Sequence, residues 1–386
     1  MRVPVVDLDG KPLMPTKPSR ARRWLRDGKA VKKWSDLGMF YVQLTCDPSD
    51  IETQDVVVGI DPGKLYSGVG VQSAKATLFM AHLILPFETV KKRMEQRRIM
   101  RRTRRSRRIN RKVEFRRRNH RQKRFDNRRG HKLPPSIRAN RELELRVVKE
   151  LAAIFPVARI VWEYVRADVD LTSGRKGARS GKGFSPVMVG QKFAIRNLEA
   201  IAPVVKMEGW ETANLRRHLG LEKSKDKASQ TPESHAVDGV ALAASEFVAY
   251  TSFQATRSHG KQWMGDVALT PCLFRVIRRP PICRRQLHLL QPSKGGNRRS
   301  YGGTVTRHGF RKGDLVRAEM AGRQYIGWVS GDTIRQVSVS DAHWKRLGQF
   351  AASKVERLQR SINLLASGAS NPTQPALVPP DTHAVA

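Results

Sequence analysis

Cysteine is scarce in this chain, acid is outnumbered, and long apolar runs are missing. Three cysteines, Cys46, Cys272 and Cys283, lie scattered through 386 residues with no Cys-x-x-Cys pair. That argues against a disulfide framework and against a zinc ribbon. No apolar run reaches membrane-spanning length, and the N-terminus lacks the charged-then-apolar pattern of a secretory signal. The expectation is therefore a protein of a reducing cytoplasm with no membrane partner. Acids number 34 against 73 lysines and arginines, giving a formal net charge of +39 and a pI of about 11.2. So large an excess would repel itself in a compact protein without an anionic partner.

The positive charge is patterned rather than spread. Residues 91–132 hold 22 Lys/Arg against three acids. They follow a strand ending in a carboxylate, Asp55-Val-Val-Val-Gly-Ile-Asp61, and then Pro62-Gly63. A buried acidic strand end suits metal chemistry, and a helix of arginines suits a phosphate backbone. Together they suggest a chain that holds nucleic acid and cuts it. A generally adhesive, ribosome-like basic protein is the alternative that composition leaves open. Many phosphate contacts predict affinity falling with salt, with a slope of about −0.9 per phosphate neutralised on duplex DNA.

Along the chain, residues 1–54 read as a small basic module. Strands are expected at 3–7, 30–34 and 39–45. A helix is expected at 20–27, with Ser19 as a possible N-cap and Gly28 as the stop. Trp24 and Leu25 would pack inward, leaving Arg20, Arg22, Arg23 and Arg26 to a phosphate backbone or simply to solvent. Residues 55–90 carry strands at 56–60, 68–72 and 77–85. The first is continuously apolar, as for a strand covered on both faces. Residues 89–128, free of Pro and Gly, predict one long helix charged nearly all round, which needs an anionic partner to be stable. Pro134-Pro135 ends that segment. A helix at 141–155 and a strand at 159–165 follow. Residues 166–185 read as a Gly/Ser/Lys/Arg-rich loop. Beyond it come a helix at 191–201, a strand at 203–207 and a helix at 211–219. Thr231-Pro232-Glu233 reads as the start of a helix running to 249. Residues 256–365 are β-rich, with a hairpin at 310–330 turning at Ala321-Gly322. Residues 366–386 read as disordered.

Three acids stand where a metal would be held. Asp61 ends its strand. Glu163 is the lone charge in Ile160-Val161-Trp162-Glu163-Tyr164-Val165. Asp238 lies in Ser234-His235-Ala236-Val237-Asp238, where His235 and Asp238 share a helix face at i, i+3. A charge in a buried strand is costly unless it is paired or metal-bound. Each residue has a plainer alternative. An Asp before Gly is often a turn residue, a strand Glu often pairs with Arg, and a helical His-x-x-Asp is usually structural. Their order along the chain is what raises the joint signal.

Val-Gly-Ile-Asp-Pro-Gly, the lone strand Glu and Ser-His-Ala-Val-Asp resemble the three split motifs of a RuvC nuclease. The Arg-rich segment resembles the bridge helix of RNA-guided nucleases. Pro12-Leu13-Met14-Pro15 matches the name-giving motif of the N-terminal PLMP domain of the IscB group. IscB proteins carry an HNH nuclease between the second and third RuvC motifs. Here residues 166–230 contain one histidine, His218, and no cysteine, so the chain resembles the HNH-lacking IsrB group.

That resemblance implies an α/β fold: an RNase H-like RuvC domain split into segments 55–90, 133–165 and 231–255. It further implies a PLMP domain at 1–54, a bridge helix at 91–132, and an insertion without HNH at 166–230. A C-terminal domain at 256–365 would touch RNA and a target-adjacent motif. The implied activity is RNA-guided nicking of the non-target DNA strand by a monomeric ribonucleoprotein, with a long structured guide RNA and target double-stranded DNA as partners. Asp61, Glu163 and Asp238 would hold two Mg²⁺, with Mn²⁺ as a substitute, and His235 would serve the attacking water or the leaving group. Nucleic acid would be bound by Arg20, Arg22 and Arg23, and by Arg97, Arg98, Arg101, Arg102, Arg104, Arg105, Arg107 and Arg108. Arg111, Arg116, Arg117, Arg118 and Arg121 complete that set. The rival readings are an unguided structure-selective nuclease and a non-catalytic RNA-binding protein. The zinc-containing RuvC-only nucleases are a third, disfavoured by the lack of paired cysteines.

Overall fold

The computed structural model describes residues 1–107, 112–117, 133–165, 185–255, 258–282, 287–288, 300–301 and 303–368. Strands β1 (Val3–Val6) and β2 (Pro12–Thr16), helix α1 (Pro18–Arg26), and strands β3 (Ala30–Trp34) and β4 (Phe40–Leu44) open the chain. The strands form one sheet in the order β2-β1-β4-β3. Its core gathers Val5, Leu13, Ala21, Ala30, Val42 and Leu44, with Trp24 and Leu25 against it. The Pro-Leu-Met-Pro motif is thus a strand facing two ways, since side chains alternate along it. Leu13 enters this small core while Met14 packs against the large one. The helix starts at Pro18, whose fixed φ suits a first turn. Lys17, not Ser19, occupies the N-cap position.

The centre is a mixed sheet. Strands β5 (Val56–Asp61), β6 (Tyr66–Ser73) and β7 (Ala76–Ile84) pair antiparallel in sequence. Helices α2 (Phe87–Arg107) and α3 (Pro135–Ala152) then lead to β8 (Val157–Tyr164), which lies parallel to β5. Helix α4 (Pro186–Leu198) leads to β9 (Val204–Glu208), parallel to β8. Helices α5 (Gly209–His218) and α6 (His235–Ala244) follow.

Every residue of β5 is buried, as its unbroken apolar run predicts. Residue parity separates the two faces. Val56, Val58 and Ile60 join Leu143, Val147 and Leu151 of α3, together with Ile160 and Trp162 of β8. Val57 and Val161 join Leu215 of α5 and Leu242 and Ala243 of α6. By the same parity, Asp61 and Glu163 fall on the α5–α6 face.

Helix α6 lies against β5 and β6 almost backbone to backbone. A Cβ built on Gly59 would stand 2.0 Å from the Gly239 oxygen, one on Gly68 1.7 Å from the His235 oxygen, and one on Gly70 2.3 Å from the Val240 nitrogen. On the helix side, a Cβ on Gly239 would lie 2.6 Å from the Gly70 nitrogen. Four glycines therefore form a seat that accepts no side chain.

Strands β10 (Ala249–Ala255) and β11 (Ser258–Met264) form a hairpin. Strand β12 (Leu273–Arg278) joins the central sheet parallel to β7. The short pair β13 (Leu287–His288) and β14 (Ser300–Tyr301) follows. Strands β15 (Leu315–Met320), β16 (Arg323–Asp332), β17 (Gln336–Ser340), β18 (Arg346–Ala351) and β19 (Val355–Gln359) make a five-stranded antiparallel sheet in the order β18-β17-β16-β15-β19. Its core is built on Val316, Val329, Val337, Val339 and Phe350. The β15–β16 turn has positive φ at Ala321 (50°) and Gly322 (74°), which matches the twist of a two-residue hairpin. Strand β20 (Leu365–Ser367) closes the central sheet, giving the order β20-β12-β7-β6-β5-β8-β9.

Four expectations need correction. The helix expected over 89–128 is not continuous: α2 begins at Phe87, while Lys112–Val113 form a turn and Phe115–Arg117 a 3₁₀ segment. Residues 108–111 and 118–132 lie outside the described residues, as do residues 166–184 of the loop expected at 166–185 and Cys283. Helix α3 begins at Pro135, so the proline pair opens it instead of only closing the segment before. Helix α6 starts at His235 and stops at Ala244, and Thr231-Pro232-Glu233 is a turn before it. Aromatic and β-branched residues then draw residues 249–255 into a strand. Finally, Leu365–Ser367 pairs with β12 and does not belong to a disordered tail; residues 369–386 lie outside the described residues.

The glycine seat generates a prediction. Gly70→Ala should destabilise the protein by about 2 kcal/mol or more, because backbone atoms of α6 have no room to yield. Gly331→Ala, whose Cβ would meet nothing within 4 Å, should change stability by less than about 0.5 kcal/mol. Urea unfolding of both variants compares them, and equal midpoints would refute the seat.

Candidate metal centre

Asp61 is the last residue of β5 and is 8% exposed. The close seating of α6 brings its first residue, His235, onto that carboxylate: Nδ1 lies 2.7 Å from Asp61 Oδ2. Asp238 follows one turn on, 2% exposed and in the first turn of α6, where the helix dipole favours a carboxylate. One donor atom from each of Asp61, His235 and Asp238 lies within 4.8 Å of the others. Three residues from two distant stretches of chain thus meet at one point.

Glu163 stands outside that group but faces it. Strands β5 and β8 pair in parallel as far as Ile60 and Trp162, so Asp61 and Glu163 follow side by side at the strand ends. Burial pushes the Glu163 carboxyl up to about 7, and the negative charges of Asp61 and Asp238 push the same way, against Thr212 and Lys223. Among the described residues no arginine forms an ion pair with it, so the plain Arg-partner alternative fails there. A Cβ on Gly209, the first residue of α5, would lie 3.2 Å from its Oε1.

Sequence reasoning missed the two cations on Asp238. Arg216 of α5 donates Nη1–H to Oδ1 at 2.5 Å, and Lys223 Nζ donates to Oδ2. Both oxygens of Asp238 are therefore bracketed by positive charge. No pattern singles out these two among 73 bases; only the fold of α5 against α6 selects them.

A second layer steadies the turn after Asp61. Ser67 donates its hydroxyl to Glu144 Oε1 at 2.5 Å and accepts the Gly63 N–H at 3.0 Å. Arg141 pairs with Glu144 at 3.0 Å and donates to the Gly63 carbonyl at 2.6 Å. Asn140 donates to the Lys64 carbonyl at 2.8 Å. Full burial pushes the Glu144 carboxyl up to about 7, opposed by Arg141 and Ser67. Glu144 shares a helix face with Val147, Val148 and Leu151 at i+3, i+4 and i+7, so this buried acid was open to detection as a charge on an apolar helix face.

Behind His235 lies an aromatic layer. Its ring centroid is 6.1 Å from that of Tyr66 and 6.0 Å from that of His82. His82 Nδ1 lies 2.9 Å from Ser234 Oγ. Burial first, then the positive side of His235 and Arg278, lowers His82 to about 4. His82 is thus a neutral wall, and His235 is the imidazole that faces the acids.

The predicted nucleic-acid residues lie apart from these acids in sequence. Arg20, Arg22 and Arg23 are exposed on α1. On α2, Arg98, Arg101 and Arg102 are exposed and Arg97 is half-buried, with Arg98 3.1 Å from Glu95. Arg104, Arg105 and Arg107 lie on the backbone of α2, and Arg116 and Arg117 are exposed on the 3₁₀ segment. Arg108, Arg111, Arg118 and Arg121 lie outside the described residues.

Residues 3–183 match the model of the RRXRR protein family, and residues 101–105 read Arg-Arg-Thr-Arg-Arg. No curated protein matches the chain. Among solved structures, the chain is similar to T. thermophilus RuvC in complex with Holliday junction substrate, at 14% identity and a TM-score of 0.26, over 49% of this chain and 90% of that one. It is also similar to CRISPR-Cas12f in a cryo-EM ternary complex, at 13% identity and a TM-score of 0.26, over 59% of this chain and 49% of that one. The chain spans about half the length of that Cas12f chain.

The raised Glu163 generates a prediction with a definite sign. A carboxyl whose folded pKa exceeds its ordinary 4.5 binds its proton more tightly when folded. It therefore costs stability as pH rises through the window from 4.5 to about 7. In metal-free buffer Glu163→Gln should stabilise the protein by on the order of 2 kcal/mol at pH 8, with little effect at pH 4.5. Urea unfolding at both pH values checks this. A variant no more stable than the parent at pH 8 would show that the carboxyl is not strained.

Proposed function

We propose that the chain is an RNA-guided DNA nickase of the IsrB kind, cutting the displaced strand in a RuvC-type centre. The observation that carries this reading is the convergence of Asp61, His235 and Asp238 within 4.8 Å at the end of the central strand, with Glu163 on the adjacent parallel strand. The strand order β7-β6-β5-β8-β9, antiparallel then parallel, supports an RNase H-like frame. The family match from residue 3 to 183 supports it further, since it includes the Pro-Leu-Met-Pro strand, Asp61, the arginine-rich segment and Glu163.

The donor set fits a hard divalent ion. It offers carboxylate oxygens, one imidazole, and a buried Glu163 held against the charge of its neighbours, a repulsion that a cation would relieve. Asp61, Glu163 and Asp238 would hold two Mg²⁺, or Mn²⁺ in their place; when bound, these activate water and stabilise the leaving oxygen of a phosphodiester. The chain's own residues do the rest. With Asp61 ionised, His235 donates Nδ1–H to it, which leaves Nε2 to accept a proton from water. Arg141, Ser67 and Asn140 hold the turn beyond Asp61, and so hold the carboxylate. The arginines of α2 grip guide RNA and the guide–target duplex through phosphates, leaving sequence choice to base pairing. The N-terminal module contacts the RNA scaffold, and the C-terminal sheet reads a short duplex motif beside the target.

Two experiments test this reading. Asp61→Ala, purified with its RNA, should bind target DNA as the parent does and lose Mg²⁺-dependent nicking; nicking at the parental rate would remove the centre from the mechanism. Replacing Arg97, Arg98, Arg101 and Arg102 with alanine should flatten the salt dependence of RNA binding, lowering the log–log slope by about 3 for four lost phosphate contacts. If RNA co-purifies in unchanged yield and with an unchanged slope, α2 is not the RNA grip.

A further inference from the structure

Helix α5 joins the acidic centre to a surface that the proposed chemistry does not use. Its first residue, Gly209, sits against Glu163, and its Arg216 reaches Asp238. Between them Trp210 points outward, 53% exposed. Trp210 Nε1–H donates to Glu208 Oε2 at 2.8 Å, which fixes the indole. Beside it stands the β10–β11 hairpin. There Tyr250 pairs directly with Trp263. The ring centroids of Trp210 and Tyr250 are 6.4 Å apart, and those of Tyr250 and Trp263 are 4.7 Å apart. Lys261 Nζ lies 5.7 Å from the Tyr250 ring. His218 Nε2, near the end of α5, lies 2.8 Å from the Gly265 carbonyl just past the hairpin. Helix and hairpin are thereby tied together.

Packing explains one of the three rings. Trp263 lies against the core of Val57, Leu215 and Leu242 and anchors the hairpin. Trp210 and Tyr250 belong to no core cluster. An exposed Trp210 beside a half-buried Tyr250, with a lysine near the ring and Gly209 next in the chain against Glu163, has the make-up of a base-stacking platform. Bases stack on such rings whatever their sequence, and the ammonium meets the phosphates between them. A surface meant for a protein would not need that cation within the row.

We propose that Trp210, Tyr250 and Lys261 form a platform for unpaired bases of the DNA strand delivered to the Asp61–His235–Asp238 centre. This deepens the nickase reading and rests on it for the strand's identity. The platform holds the strand beside the acids and keeps its bases from re-pairing.

The test uses the full-length Asp61→Ala protein, so that binding is read without cutting. A 12-residue single-stranded DNA carrying 5-iododeoxyuridine is bound, irradiated and mapped by mass spectrometry. Cross-links should fall on Trp210 or Tyr250. Trp210→Ala with Tyr250→Ala should weaken DNA binding about tenfold with an unchanged salt slope, whereas Lys261→Ala should lower that slope by about 0.7. Trp210→Phe should retain binding and Trp210→Leu should not, which separates stacking from a general loss of fold. Cross-links elsewhere with unchanged affinity overturn the platform. So does labelling of these rings by the matching iodouridine RNA but not by the DNA. Persistent nicking by the Asp61→Ala protein would instead count against the nuclease centre and leave the cross-linking result standing.

Discussion

The close approach of α6 to β5 and β6 is the constraint from which the rest follows. A helix normally rides on a sheet at a distance set by its side chains. Here Gly59, Gly68, Gly70 and Gly239 remove those side chains at the crossing, and backbone meets backbone. His235 and Asp238 can then reach the end of β5 without long side chains. A histidine and two aspartates are short, and short groups hold fixed positions at small entropic cost. The precision of the centre therefore comes from backbone packing, with the acidic side chains merely placed upon it.

Such a gathering of acids carries an electrostatic cost, and the structure meets it in three ways. Asp238 takes two cations, Arg216 and Lys223. Asp61 takes His235. Glu163 forms no ion pair among the described residues and keeps its proton more readily instead. These are three answers to one problem, because a buried negative charge must be paired or protonated. Helix α5 takes part in all of it: its N-terminus abuts Glu163, its Arg216 neutralises Asp238, and its Trp210 looks outward. What approaches along that outer face is mechanically connected to the acids within.

Much of this was legible in the residues. A continuous apolar run ending in Asp61 identifies a central strand. Glu163 inside an apolar strand is conspicuous because burying it needs a reason, and two-residue alternation then places it on a definite face. What stayed hidden depends on contacts distant in sequence. The glycines were visible, but their purpose appears only when β5 and β6 are set in register under α6. Arg216 and Lys223 are two bases among many until α5 folds back. The start of α6 was misplaced because Thr231-Pro232-Glu233 carries a helix-start pattern, while the helix begins only where Ser234 precedes the residues that fit the seat. The long basic segment misled in the opposite sense. Lack of proline and glycine permits a helix but does not enforce one, and a turn at Lys112–Val113 interrupts it.

Two populations of cation divide the molecule's work. Arg141, Arg216, Arg275 and Arg278 are turned inward, with guanidinium groups spent on Glu144, on Asp238, on the Gly38 carbonyl and on Gln230. They belong to the fold, and burial lowers the pKa of Arg275 and Arg278. The arginines of α1, and Arg98, Arg101 and Arg102 of α2, are exposed and sit on helices with few acids beside them. Their mutual repulsion is a standing cost that an outside anion relieves. A formal charge of +39 is thus not uniform adhesiveness. Within the fold Glu144 and Asp238 have cations of their own, whereas α1 and α2 carry many bases and few acids. Helix α3 packs against α2 and secures the turn after Asp61, so one element physically links the basic helix to the acids.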